Sequence, residues 1–436
     1  MSDSTDIPNG YKATELGVLP EEWDVVPLSE AISEIDLRLS EVENPVTNRF
    51  QVLSLTKNFG LIWQSERFEK RIATIDVSKY KVVKKGQIVY NPYVIWEGAV
   101  HILRYYDEGL VSPVYPIWEA KIGIADPFFI DHNLRTPYAI SEYNRLAAGA
   151  VNRRRSIRKP DFLKIKIPLP PLPEQHAIAA TLRSVQEAKE KTDAVIAATK
   201  ALMAAMMKHL FMYGPVPPEE AERVALKETK IGSVPEEWNV VKIGEIIQKT
   251  QYGLSIRGEQ VGQYPILRMN NLGNGLIDTN DLQYVNIDEN NLHNFQLNRG
   301  DILFNRTNSY ELVGKTSIFK LEETFVFASY LVRIIPDFDK IFPEYLNYYL
   351  NWGETQARLK LLASRGVSQS NINATKLRDF SIPFPSLSIQ KQIAIILNAI
   401  DQKLAAEQSR KETLNLMFAS LLHNLMTAKT RVKNIV

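Results

Sequence analysis

The side chains best suited to chemistry in this sequence are cations and amides grouped on short polar loops. Residues 153–159 run Arg153, Arg154, Arg155, Ser156, Ile157, Arg158, Lys159, which is five cations in seven positions. Residues 365–373 run Arg365, Gly366, Val367, Ser368, Gln369, Ser370, Asn371, Ile372, Asn373. Arg268, Asn270 and Asn271 form a third group, and Arg306, Asn308 and Ser309, just after Asn305, a fourth. Phosphate oxygens take hydrogen bonds from Arg, Lys, Ser and backbone N–H groups, while base edges pair with Arg, Asn and Gln in bidentate geometry. Lys57, Asn58, Arg71, Asn91, Tyr93, Tyr252 and Arg257 are further candidates of the same kind. Any one such loop is equally well read as a solvated surface. Four of them in one chain weigh toward binding DNA.

Catalytic look-alikes fail on their details. Asn91-Pro92-Tyr93 resembles the Asn-Pro-Pro-aromatic loop of amino-methyltransferases but lacks the second proline, and no glycine-rich strand–turn–helix precedes it. Asp126-Pro127-Phe128 fails in the same way. Gly314-Lys315-Thr316 has Ser309 where a phosphate-binding loop needs its first glycine. Pro160-Asp161 with Glu187 and Lys189 mimics a nuclease pattern, but Glu187 and Lys189 fall on a long helix. The six histidines have no cysteine or spaced histidine partner for zinc. The expectation is a chain that binds without catalysing: no catalytic residue, no metal site and no cofactor of its own.

Composition sets outer bounds. A chain of 436 residues holds two or three domains. The absence of cysteine excludes disulfides and thiolate metal sites and agrees with a reducing, cytoplasmic compartment. The polar N-terminus does not read as a signal peptide, and no apolar run reads as membrane-spanning. A net charge of +2 means that contact with nucleic acid must come from local patches.

The elements that must position these loops occur twice. Ile167-Pro168-Leu169-Pro170-Pro171-Leu172-Pro173-Glu174-Gln175 leads into a helix ending near Tyr213. Ile382-Pro383-Phe384-Pro385-Ser386-Leu387-Ser388-Ile389-Gln390 leads into one ending near Ala428. The first carries a seam of Ile178, Leu182, Val185, Lys189, Thr192, Ile196, Thr199, Met203, Met206 and Leu210. The second carries Ile393, Leu397, Ile400, Leu404, Glu407, Lys411, Leu414, Phe418, Leu421 and Leu425. Steps alternating between four and three define a heptad seam, which needs a partner helix. An antiparallel pseudo-twofold register would set Ile178 opposite Leu425, Thr192 opposite Lys411 and Ile196 opposite Glu407. About 40 residues at 1.5 Å each make a rod of about 60 Å.

The repeat is wider than the helices. Lys12 to Val26, containing Pro20-Glu21-Glu22-Trp23, returns as Lys227 to Val241, containing Pro235-Glu236-Glu237-Trp238. Lys12 and Lys227 are as far apart in the chain as Ile178 and Ile393, so the openings and the helix seams repeat at one offset. Between these ends the halves read as different sequences. Short strand candidates fill them: residues 50–55, 87–90, 111–115 and 164–167, then 265–269, 301–304, 316–319, 325–327 and 331–335. A late helix is expected near 137–147 and near 343–361. The domain reading is 1–166, first α/β domain; 167–214, lead and helix; 215–230, linker; 231–381, second α/β domain; 382–436, lead and helix.

The proline leads, the long helices and the Pro-Glu-Glu-Trp openings, each present once per half, resemble the specificity subunit of type I restriction–modification systems. The likeness runs from about Lys12 to Leu425. The second lead departs from it at Ser386, Ser388 and Ile389. The resemblance implies a mixed α/β fold: two target-recognition domains joined by two antiparallel spacer helices. Each domain would read half of a bipartite duplex target. Two methyltransferase subunits would dock on the helices, and two motor–nuclease subunits can join them. S-adenosylmethionine, ATP and Mg2+ would belong to those partners, with no membrane involved. Two other classes remain open from the residues alone: a methyltransferase or nuclease with an unrecognised site, and a coiled-coil scaffold that binds only protein.

Overall fold

The computed structural model describes residues 7–42, 51–57, 60–67, 76–147, 155–273, 275–365 and 369–432. Its two compact units are Met1–Thr192 with Arg410–Val436, and Asp193–Ser409. The division passes through the middle of both long helices, so each half-helix belongs to a domain and forms no separate body.

Each half opens on a β-hairpin at its Pro-Glu-Glu-Trp segment. Tyr11–Thr14 pairs with Gly17–Pro20, and Leu226–Thr229 with Gly232–Pro235. The turns need Gly17 and Gly232, whose φ angles of 105° and 104° lie where a side chain would be strained. The expected linker of residues 215–230 is therefore already strand at its end. The next strand, Asp24–Pro27, pairs antiparallel with Lys166–Leu169, the strand formed by the proline lead. Asn239–Lys242 pairs with Ser381–Phe384 in the same register in the second half. The proline lead thus ties the end of each domain to its beginning. It does so in a two-stranded sheet, where missing proline donors are tolerated.

The middles match in fold although their sequences differ. In the first half Ile32–Ile35, Ile117–Ala120, Ile88–Tyr90 and Val100–Ile102 lie side by side in that order, all antiparallel. In the second the order is Ile247–Tyr252, Leu331–Pro336, Ile302–Asn305 and Thr316–Ile318, with Gly275–Leu276 added at the edge. The shared centre is a hairpin entered through Gly86 or Gly300, with φ of 89° and 93°. The Gln87 side chain accepts from the Lys84 N–H at 2.8 Å, and the Asp301 carboxylate from the Asn298 N–H at 2.6 Å. Helices Pro127–Asn133, Pro137–Leu146 and Lys159–Leu163 find counterparts in Pro343–Asn351, Gly353–Leu361 and Ala374–Arg378. The expected single helix near 343–361 breaks at Trp352. The strand candidate 111–115 ends at Val111, because Pro113 cannot donate to a ladder.

The long helices are Leu172–Tyr213 and Leu387–Met426. Within the first unit Glu174 bonds Arg431, Ile178 and Leu182 share a core with Leu425 and Met426, and the Lys189 ammonium lies 4.9 Å from the Phe418 ring centre. Numbers rise along one helix as they fall along the other, so the segments are antiparallel. In the second unit Met206 and Leu210 share a core with Ile393 and Leu397, which again sets the end of the first helix by the start of the second. Val185, Ile196 and Met203 are turned inward on the first helix. Ile400, Leu404, Lys411, Leu414 and Leu421 are half-buried on the second.

Thr192, Thr199 and Glu407 bond within their own helices. Thr192 and Thr199 return their hydroxyl protons to the carbonyls of Ala188 and Val195, at 2.8 and 2.7 Å. Glu407, 6% exposed, takes a hydrogen bond from Lys403 at 2.6 Å.

The first long helix corrects the expectation that no run is apolar enough to span a membrane. Leu172–Arg223 contains an 18-residue stretch that could cross one by length and composition, and 17% of that stretch is buried. The reason is alanine, which counts as apolar and favours helix while covering little surface. On the same helix the buried positions Thr192, Ile196 and Thr199 keep the heptad spacing of a protein seam.

Candidate nucleic-acid interface

In the second unit the structure gathers several of the expected residues. Thr307–Asn308 pairs with Ser370–Asn371, which also pairs with Ser364–Arg365, a small three-stranded sheet beyond the end of Ile302–Asn305. The Asn371 amide donates to the Thr307 hydroxyl at 2.7 Å. Beside it the Arg306 guanidinium carbon stands 4.7 Å from the centre of the Tyr252 ring, and among the described residues the Arg306 Nε has no hydrogen-bond partner. The Tyr252 hydroxyl accepts the Ala374 N–H at 3.1 Å, which fixes the ring while leaving it exposed. Asn373 caps the helix Ala374–Arg378 by accepting the Lys376 N–H at 2.8 Å. The Lys376 ammonium donates to Leu362 O and Ser364 Oγ. Asn308 accepts the Ser309 N–H, and Gln369 is exposed. Tyr252, Arg306 and Lys376 therefore present two cations and an aromatic face beside hydroxyls and amides. That is the chemistry for phosphate contact and base-edge pairing.

Arg268, Asn270 and Asn271 lie on a different loop and serve it. The Asp281 carboxylate takes Arg268 at 3.0 Å and Asn270 at 2.8 Å. Asn271 is 1% exposed; its amide donates to the carbonyls of Asp278 and Asp281 and accepts the Arg268 N–H. A side chain with every group so engaged builds the loop and is not available to DNA, which corrects its place among the candidate contacts. Arg257 is exposed.

In the first unit residues 155–159 correspond in position to residues 370–374 of the second. Ile157 and Ile372, equivalent by the repeat, are both buried, and Arg158 and Asn373 both precede a short helix. Arg155 donates to Asn144 O at 2.8 Å and lies over Trp96. Arg158 pairs with Asp161 at 2.6 Å and Lys159 with Glu34. Ser156 is half-buried. Exposed ion pairs are worth about 0–1 kcal/mol, so a phosphate can replace Asp161 on Arg158 at little cost. Asn91 donates to the Tyr115 hydroxyl at 3.1 Å and accepts the Tyr93 N–H, holding Tyr93 outward. Lys57 is exposed. Asn58, Arg71, Arg153, Arg154 and Ser368 lie outside the described residues. Thr307, Ser364, Lys376 and Trp96 were not among the sequence candidates. Lys376 alone left a trace, three residues after the capping Asn373.

Beneath the first domain's sheet lies a buried charge cluster. Asp131, fully enclosed, accepts from Arg104 at 2.7 Å, Arg135 at 2.6 Å and the Ile102 N–H at 2.8 Å. Burial opposes its ionisation, but Arg135 and Arg104 outweigh that and hold the carboxyl well below its usual range. Burial, with the Arg135 cation adding to it, pushes His132 down to about 3 and His101 to about 4. Both rings are neutral at ordinary pH. The cluster joins the strand Val100–Ile102 to the helix Pro127–Asn133 and is sealed from any substrate. Gly314-Lys315-Thr316 runs into a strand rather than a helix, so no phosphate-binding loop forms there. Among the described residues no group of three or more His, Asp or Glu could hold a metal ion.

A duplicated α/β domain presenting basic, amide-rich loops, each copy followed by a long helix, has the architecture of a nucleic-acid-binding scaffold. The family model for the type I restriction modification DNA specificity domain matches residues 137–197 and 235–416, more than half of the chain. The protein belongs to that family. It is 26% identical over 429 residues to the type I restriction enzyme MjaVIII specificity subunit of Methanocaldococcus jannaschii, covering 96% of this chain and 95% of that one. It is 35% identical over 205 residues to the putative MjaX specificity subunit of the same organism, covering 46% and 48%. The EcoKI specificity subunit of Escherichia coli is 23% identical over 436 residues, covering 92% and 86%. In fold the chain resembles the crystal structure of the type I restriction–modification S subunit from M. genitalium, with a TM-score of 0.60 and 16% identity over 92% of this chain and 96% of that one. Specificity subunits are the non-catalytic members of such systems, and the chain's role is DNA recognition.

Proposed function

We propose that each α/β domain reads one half of a bipartite duplex target and that the paired long helices set the distance between the halves. The observation that carries this reading is the doubling itself. The loop after each sheet, the lead strand and the start of each long helix recur at one constant offset along the chain. A monopartite reader would need one copy. The helices also dock two methyltransferase subunits, and two motor–nuclease subunits join that assembly. S-adenosylmethionine, ATP and Mg2+ are bound by those partners, and the work is done in the cytoplasm.

The test is a domain exchange. Residues 238–380 are replaced by the matching region of another specificity subunit, and the assembled complex selects from a random duplex pool. One half-site changes and the other stays. A change in both half-sites would overturn the reading.

A further inference from the structure

Each recognition domain grips its own long helix at two places. The near grip is the buried glutamine at the helix start, Gln175 or Gln390, with the apolar residues that follow it. The far grip is made by a tyrosine–carboxylate hydrogen bond. In the first unit the Tyr105 hydroxyl donates to Glu190 at 2.5 Å. In the second the Tyr348 hydroxyl donates to Asp401 at 2.7 Å. The two bonds come from unrelated parts of the domains, a loop after a sheet strand and a helix, so sequence duplication did not copy one from the other.

The distances give these bonds leverage. Gln390 and Asp401 are eleven residues apart, about 16 Å along the helix; Gln175 and Glu190 are fifteen apart, about 22 Å. A domain held only at the near grip can rock about it. A movement of about 1 Å at the far point corresponds to about 2.5–3.5° of tilt at these lengths. In the second unit the space beside the far bond is poorly filled. A cavity of about 120 Å³ lies there, lined by Gly275, Leu276, Ile318, Asn347, Tyr348 and Asp401 among others. Packing is looser at that point, so the hydrogen bond carries more of the angle there.

We infer that Tyr105–Glu190 and Tyr348–Asp401 are positioning struts that set the angle of each domain on its helix and so sharpen the discrimination between spacer lengths. This rests on the bipartite reading above. None of the four residues need touch DNA; they act through the orientation of the domains that do.

The experiment uses the full chain assembled with its methyltransferase subunits. The probe is a pool of duplexes random in sequence, from which bound molecules are sequenced for half-site and spacer length. The wild type should select one spacer. Tyr105→Phe with Tyr348→Phe removes both hydroxyls and keeps both rings. It should lower the preference for that spacer over its one-base-pair neighbours by about 3- to 10-fold, with both half-site sequences unchanged. Glu190→Gln with Asp401→Asn keeps an acceptor oxygen at each point and should retain most of the preference. An unchanged spacer profile in the phenylalanine variant overturns the inference. So does a change in half-site sequence, since that would place the tyrosines in base reading. A wild type with no preferred spacer would instead overturn the bipartite reading beneath it.

Discussion

Gln175 and Gln390, equivalent positions of the repeat, make the same hydrogen bonds. The Gln175 amide donates to Pro170 O at 2.8 Å and Ile124 O at 3.0 Å, and its oxygen accepts the Asp126 N–H at 2.9 Å. The Gln390 amide donates to Pro385 O at 2.9 Å and Lys340 O at 3.2 Å, and its oxygen accepts the Phe342 N–H at 2.8 Å. Both side chains are 0% exposed. Each staples three things together: the proline lead, the first turn of the long helix, and the loop before the domain's own helix. The orientation of domain on helix begins here.

Truncation at either position leaves a buried N–H and two carbonyls unsatisfied. Gln175→Ala and Gln390→Ala should each cost about 2–4 kcal/mol, by similar amounts because the geometry is the same. Urea unfolding followed by circular dichroism measures this. A cost at either site no larger than that of an ordinary surface substitution would show that water takes over the bonds.

Arg306 and Asn271, both candidates from sequence, should separate in their effects. Arg306→Ala removes a cation from the Tyr252 face and should weaken DNA binding. If it meets a phosphate, all sequences weaken alike and the salt slope falls by about one; if it meets a base, one position relaxes at a cost of about 1–3 kcal/mol. Asn271→Ala should leave the salt slope alone and lower the melting temperature. Titrations at several salt concentrations, beside melts of the free subunit, distinguish them. The reverse pattern would reject the assignment.

Much of the frame was legible in the sequence, because the proline leads and heptad seams are local patterns and the offset between them is constant. Ile178, Leu182 and Leu210 were readable as buried from spacing alone. In the shared middle the strands near 87–90 and 301–304 were readable, but not the order in which they pair. Gly86-Gln87-Ile88-Val89-Tyr90-Asn91 and Gly300-Asp301-Ile302-Leu303-Phe304-Asn305 fall one position out of step with the flanks and keep only size and polarity. The loops were harder still. Asn271, Asn371 and Asn373 look alike in sequence, yet one builds a loop, one bridges strands and one caps a helix. Which way an amide faces depends on partners such as Asp281 or Thr307 that no local pattern supplies.

Acid should destabilise the first unit through its buried histidines. His101 and His132 have pKa values depressed to about 4 and about 3, so they stay neutral in the fold. The unfolded chain takes up protons on both once the pH drops below about 6.5, and stability falls from there toward pH 4. The loss is up to about 2 kcal/mol for each ring by pH 5. Asp131 stays ionised through this window, so its contribution is kept. His132→Gln should flatten the decline of stability between pH 7 and 5 relative to wild type. Equal declines in the two proteins would contradict the assignment.

The most direct test of the whole account lengthens the helices. One heptad inserted after Ala198, and one between Leu404 and Ala405, preserves both seams and adds about 10 Å at 1.5 Å per residue. At 3.4 Å per base pair that is about three more base pairs between the half-sites. Three base pairs also rotate one half-site by about 100° on a duplex of about 10.5 per turn, and the helices' own supercoil is too slow to follow. The measurement is selection, by the assembled complex, from duplexes with both half-sites fixed and the spacer varied. The expected result is weaker binding and a best remaining spacer longer than that of the wild type. A lengthened variant that binds as tightly as the wild type and still selects the original spacer would show that the helices do not set the distance.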